Sequence, residues 1–269
     1  LPPDRRDYRN DVNGGVSGVS GVGGVGGVGG VAGVSGVGGV GGVAGVSGVG
    51  GVGGVAGLRV AYCPALGGAA TDPAVRTVTD AAAQRFTGLG AHVEETDPRV
   101  PDPLETFTAL WYAGAANALR HLGDGERALL DPGLAEIVAE GGKLSALEYL
   151  AAADRRGEFG IRLGRFHESY DLLLTPAVGV PPFAAGREVP DGWPAERWPT
   201  WARFSLPFNL SQQPAATVPC GFTPDGLPVG LQVVGPKYAD ALVLRAALAY
   251  ERANPLYDRL PPRPGEVRA

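Results

Sequence analysis

A strict triplet, Val-[Ser/Gly/Ala]-Gly, runs from Val16 to Gly57 and divides the 269-residue chain into two unlike kinds of sequence. A 12-residue period lies above it, Val31-Ala-Gly-Val-Ser-Gly-Val-Gly-Gly-Val-Gly-Gly, repeated from Val43 and begun again at Val55. Residues 14–57 hold 23 of the 44 glycines. The tract has no proline, and a collagen triple helix needs Pro-rich triplets. It has no charge from Val12 to Leu58, yet so much glycine makes a poor helix and gives lipid nothing to contact, which excludes a membrane span. Valine is its largest side chain, too small to fill the core of a β-solenoid. The expectation is a flexible low-complexity insertion over residues 17–57, disordered and without a core of its own.

The remaining 225 residues (269 − 44) therefore carry the fold, enough chain for one sizeable core or two small ones. Hydrophobic residues at 44% exclude wholesale disorder. A net charge of −5 with a pI near 5.3 argues against nucleic acid as a partner. Two cysteines, Cys63 and Cys220, are too few for a disulfide framework or a structural zinc site. No cofactor, metal or membrane partner is expected, and the location is expected to be cytoplasmic. The opening Leu1-Pro-Pro-Asp-Arg-Arg-Asp-Tyr carries no apolar run. The chain contains no methionine, even at position 1, so it is expected to begin within a longer protein.

Periodicity returns directly after the tract. Leu58, Val60 and Tyr62 alternate with Arg59 and Ala61 as a short strand. Asp72-Pro73 opens a helix with an N-cap and a first-turn proline, and its apolar face is Val75, Val78, Ala82, Phe86 and Leu89. Gly88 and Gly90 stop it, and 91–96 reads as a second strand, parallel to the first. Residues 104–122 and 126–140 are predicted helical. Ser145-Ala-Leu-Glu148 is a capping box for a longer helix with the stripe Tyr149, Ala152, Arg156, Phe159, Leu163, Phe166, Tyr170. Leu172–Leu174 reads as a buried strand. Residues 177–214 hold seven prolines and three of the four tryptophans, Trp193, Trp198 and Trp201, a pattern that favours a functional loop. Strands at 216–222 and 229–234, joined through Pro224-Asp225-Gly226, precede a last helix at 239–252. Alternating strands and helices define an α/β class.

Standard chemical constellations are nearly absent. His92, His121 and His167 lack metal-ligand spacing. No Gly-x-Ser-x-Gly elbow occurs, and Gly-x-Gly-x-x-Gly matches fall only inside the repeat. Cys220, at a strand end, is a possible nucleophile with no histidine or lysine nearby in sequence, which favours packing. The residues alone reveal no reaction.

Residues 204–236, from Phe-Ser-Leu-Pro-Phe-Asn-Leu-Ser to Gly-Leu-Gln-Val-Val-Gly-Pro, closely resemble the amidase signature family. Leu58-Arg-Val-Ala-Tyr-Cys-Pro, Tyr170-Asp-Leu-Leu-Leu-Thr-Pro and Asp240-Ala-Leu-Val-Leu-Arg-Ala-Ala resemble it too, as does Leu1–Tyr8 with Gly14-Gly15-Val16. The resemblance divides the chain into a domain remnant at 1–16, the repeat at 17–57, the C-terminal part of the domain at 58–258 and a tail at 259–269. It implies an α/β/α fold around a mixed sheet and amide hydrolysis by a Ser–cis-Ser–Lys triad, with a small-molecule amide as substrate and backbone amides holding the oxyanion. The family's Gly-Gly-Ser-Ser-Gly-Gly segment and its upstream lysine match nothing here; Lys143 and Lys237 stand elsewhere. The chain alone is therefore expected to be inactive, with a missing N-terminal half of the domain as its partner.

An alternative within the family is the amidase-like component of the tRNA-dependent glutamine amidotransferase. Ala202 stands where that component usually has an acidic residue, and the Trp-rich loop looks more like a stand-alone amidase. Gln212 stands where the family commonly has glycine. A Gly-rich structural or interaction protein is the alternative from another class.

Arg156 occupies an apolar stripe, where an unpaired guanidinium would be destabilising. Its spacing to Tyr170-Asp171 resembles that of a substrate-gripping arginine in the amidotransferase component. No catalytic residue is assigned. Arg156, Thr175, Phe204 and Asn209 are expected to line a substrate cleft.

Overall fold

The computed structural model describes residues 54–256. The expectations for 1–16, for the repeat up to residue 53 and for the 259–269 tail lie outside the described residues. The last four repeat residues are described, and they are tied to the fold at two points. Val55 is buried, Gly57 takes a left-handed φ of +76° and its N–H donates to the Gly90 carbonyl at 2.8 Å. Core packing thus includes a residue ahead of the boundary expected at Leu58, because Val55 of the repeat is buried with the strands.

In chain order the elements are β1 (Arg59–Tyr62), α1 (Pro73–Gly88), β2 (His92–Glu95), α2 (Leu104–Ala118), α3 (Asp124–Arg127), α4 (Pro132–Gly141), α5 (Ala146–Phe166), β3 (Leu172–Pro176), α6 (Leu206–Ser211), β4 (Ala215–Phe222), β5 (Pro228–Val234) and α7 (Asp240–Ala253). One five-stranded mixed sheet has the order β2-β1-β3-β5-β4. β1 pairs in parallel with β2 and β3, whereas β5 pairs antiparallel with β3 and β4.

Strand side chains alternate faces, and here that alternation builds two cores. Val60, Tyr62, Leu172, Leu174, Leu231 and Val233 face α1 and α7, where Phe86 stacks on Tyr250 at 5.3 Å. Ala61, Cys63, Leu173 and Val234 face the layer of α2, α5 and α6. The α/β/α arrangement around a mixed sheet follows. Burial on both faces explains why Leu172–Leu174 is continuously apolar. Asp171 ties the two strand starts together: its carboxylate accepts from the Arg59 backbone N–H at 2.8 Å and pairs with the Arg59 guanidinium at 3.3 Å.

The capped helices start where the residues place them. Asp72 Oδ1 accepts from Ala74 N, and Ser145 and Glu148 form the reciprocal box. The helix expected over 126–140 is broken, because Asp131 caps a fresh start at Pro132. The helix expected over 104–122 stops at Ala118. Within the long loop, α6 forms a single turn and a half that period counting does not detect. Among the described residues no helix is long and apolar enough to cross a membrane.

Candidate functional site

Three elements of the α2/α5/α6 layer and one loop residue enclose a recess of about 440 Å³. Phe107 and Trp111 lie four residues apart on α2, so they share one helix face. Trp198, from the 3-10 turn Trp198–Thr200, meets both rings edge-on, at 5.9 Å from Phe107 and 5.6 Å from Trp111. Arg156 of α5 and Asn209 and Leu210 of α6 complete the lining. Arg156 Nε donates to the Leu210 carbonyl at 2.9 Å. The apolar stripe thus accommodates an arginine because its guanidinium reaches a carbonyl of the last turn of α6, where helix carbonyls lack internal partners. Among the described residues Arg156 makes no ion pair, and the Asn209 carboxamide makes no hydrogen bond. The recess therefore combines aromatic walls, an uncompensated cation and an open amide.

Thr175 and Phe204 lie elsewhere. Both are fully buried. Gln232 pairs in register with Thr175 across β3 and β5, and its Nε2 donates to Thr175 Oγ1 at 2.9 Å and to the Phe204 carbonyl at 3.1 Å. This buried amide ties the sheet to the entry of α6. The structure brings Arg156 and Asn209 together and places Thr175 and Phe204 in a separate, solvent-closed network. Sequence reasoning does not single out Gln232, Phe107 or Trp111. For the last two, the i, i+4 aromatic pair in α2 is the available signal.

Two other recesses lie elsewhere in the described structure. One of about 220 Å³ sits beyond the end of β3, between Val75, Val178, Pro181, Phe183, Trp201 and Val229, with no charged lining. The other, about 740 Å³, lies between α2, α4 and α5 and carries four carboxylates. Each of them is engaged: Asp102 with Arg203, Glu105 with Arg155, Glu140 with Lys143 and Glu148 with Ser145.

Among the described residues the hydroxyls held by carboxylates include Ser145 on Glu148 at 2.8 Å, a helix cap, and Tyr62 on Asp80 at 2.8 Å, and neither lines the recess. Cys220 is buried, its thiol donates to the Val229 carbonyl at 3.3 Å, and burial pushes its pKa up to about 12. Cys63 is likewise pushed up to about 12 by burial. Neither is a thiolate at neutral pH, so neither is poised to attack. Lys143 is an exposed partner of Glu140, Ser145 is a helix cap, and Ser211 hydrogen-bonds the Gln213 side chain. Among the described residues no cluster of three metal-ligating side chains occurs.

The mixed sheet with its two helical layers is the fold of amide-cleaving enzymes. The family model described as Amidase matches residues 53–244, and the chain belongs to that family. An acylamidase of Rhodococcus erythropolis is 35% identical over 76% of this chain and 44% of its own length. The A component of the glutamyl-tRNA(Gln) amidotransferase of Lactiplantibacillus plantarum is 29% identical over 72% of this chain and 44% of its own. Among solved structures, a bacterial aryl acylamidase of the amidase signature family aligns with a TM-score of 0.65 and 27% identity, over 75% of this chain and 44% of that one. The chain spans less than half the length of these relatives.

Proposed function

We propose that this chain serves amide-bond hydrolysis of a small-molecule amide, as a scaffold that binds and orients substrate without itself supplying the nucleophile. The carrying observation is the family match over residues 53–244, supported by the acylamidase identity. The Gly-Gly-Ser-Ser-Gly-Gly segment occurs nowhere in the 269 residues. Nucleophile, bridging serine and lysine base would have to come from a segment carrying that motif, which is the partner this reading requires.

In this reading Arg156 and Asn209 meet the substrate. The guanidinium, held at Nε by Leu210, offers its outer nitrogens to a carbonyl or carboxylate oxygen. Phe107, Trp111 and Trp198 take the apolar part. Thr175 and Phe204 act from below, through Gln232, by fixing where α6 begins. The amidotransferase reading is less favoured, because Ala202 is a small buried residue where an acidic one would stand.

The test is a chimera in which residues 54–256 replace the matching segment of the Rhodococcus acylamidase. Anilide hydrolysis is expected, and Arg156→Leu should raise KM about tenfold, the effect of losing one charged hydrogen bond. A correctly folded chimera without turnover would overturn the proposal. Unchanged KM in Arg156→Leu would remove Arg156 from it.

A further inference from the structure

The proline-rich stretch after β3 contributes one wall to each of two recesses. Trp198 faces the Arg156 recess, and Trp201 faces the uncharged recess beyond β3. One residue, Glu188, reaches both. Its Oε1 accepts from the Trp198 backbone N–H at 3.2 Å, and its Oε2 accepts from Arg197 Nη1 at 3.1 Å. Its carbonyl accepts from Trp201 Nε1 at 2.8 Å. Arg197 carries the link off the loop, through an ion pair between Nη2 and Glu136 of α4.

Two further features fit the same arrangement. A Cβ at Gly133, in the first turn of α4, would stand 3.3 Å from Arg197 Nη1 and 3.1 Å from Asp131 Oδ1. Glycine weakens a helix relative to alanine, and here it leaves the guanidinium its path. Trp201 also meets Phe183 edge-on at 5.5 Å, while Trp198 meets Phe107 and Trp111 edge-on. Edge-to-face contacts depend on ring direction, so whatever sets the indole directions sets both recess shapes. The seven prolines of residues 177–214 already restrict the loop, so few contacts suffice to select one arrangement.

We propose that Glu188 and Arg197 form a clasp that positions Trp198 and Trp201, making this loop one specificity element that serves both recesses. The ion pairs are partly exposed, with side-chain exposures of 30% for Arg197 and 37% for Glu188. Each is therefore a weak contributor to global stability. The role is local: one carboxylate satisfies a backbone donor and a guanidinium at once and holds the backbone under Trp198. Glutamine at 188 would keep an acceptor for the Trp198 N–H and lose the charge.

The experiment uses the full chain, with Trp198→Phe and Trp201→Phe variants to assign the emission. Acrylamide quenching reports indole order, and benzoate binding by calorimetry reports the Arg156 recess. Glu188→Ala is expected to at least double the quenching of both indoles and to weaken benzoate by at least about twofold, through the freed Trp198 wall rather than through a lost contact to the ligand. Glu188→Gln should fall between, and Arg197→Lys should resemble Glu188→Ala. If Glu188→Ala fails to fold, Glu136→Gln replaces it: its exposed side chain leaves the core untouched, and quenching should rise in the same sense. A lowered Tm with unchanged quenching would mean a merely structural role and overturn the clasp. The benzoate arm rests on the substrate-recess reading of Arg156. Wild-type chain that binds no benzoate would overturn that reading, and the clasp then stands or falls on quenching alone.

Discussion

Gln212 ends α6 in the left-handed region, at φ +62° and ψ +37°, with its N–H donating to the Phe208 carbonyl at 2.8 Å. This is the αL helix stop that glycine usually supplies. A non-glycine residue there costs about 1–2 kcal/mol in strain, while glycine returns part of that as unfolded-state entropy. The resemblance to the family marks this place as a usual glycine, and the turn persists without it. Gln212→Gly should raise unfolding free energy by about 0.5–1 kcal/mol in urea titrations; a loss would show that the glutamine side chain contributes contacts of its own. His167 gives the second prediction at this scale. Its Nδ1–H donates to the Tyr170 carbonyl at 3.0 Å, its Nε2 is buried without a partner, and burial lowers its pKa. The unfolded chain then binds the proton more readily than the folded one, so stability falls as pH drops below about 6.5 and levels off beneath the folded value. His167→Gln should lose less stability than wild type between about pH 7.5 and about pH 5 in denaturant midpoints. An identical pH slope would assign the acid sensitivity elsewhere.

Helix contacts make the same substitution act with opposite signs at two glycines. A Cβ at Gly141 of α4 would overlap the Tyr112 carbonyl of α2, whereas a Cβ at Gly157 of α5 meets nothing within 4 Å. Gly141→Ala should destabilise by about 1–3 kcal/mol, as overpacking does, and disturb α2 near the recess. Gly157→Ala should stabilise by up to about 1 kcal/mol through helix propensity. Thermal melts with near-UV dichroism check both, and equal effects at the two sites would contradict the packing of α4 on α2. The elements differ in how much the sequence discloses. Asp72-Pro73 and Ser145–Glu148 announce α1 and α5, because capping chemistry is local. Asp131-Pro132 carries the same signal, but apolar spacing running across it hides the break between α3 and α4. Only a first-turn proline, Pro207, marks α6 locally, and its side chains give no capping bond; the short turn is held by Gln232 and Arg156 from distant elements. The site follows that division. Arg156 stands out as a charge in an apolar stripe, but the acceptor that explains it is a backbone carbonyl 54 residues away.

For the molecule as a whole, two cores on one mixed sheet account for the fold, and the chemistry is what they leave unfilled. The described surface offers aromatic walls, an uncompensated guanidinium and an open amide beside α6, and both cysteines are closed off as raised thiols. Nothing in the 269 residues matches the triad segment the family resemblance implies. The chain belongs to the amidase family, and our proposal is that by itself it binds without cleaving. The most direct measurement is release of p-nitroaniline from an acyl p-nitroanilide by the purified 269-residue chain over a range of substrate concentrations. The expected result is no release above the buffer rate and no initial burst. Saturable turnover, lost on substituting Cys220 or any serine of this chain by alanine, would contradict it.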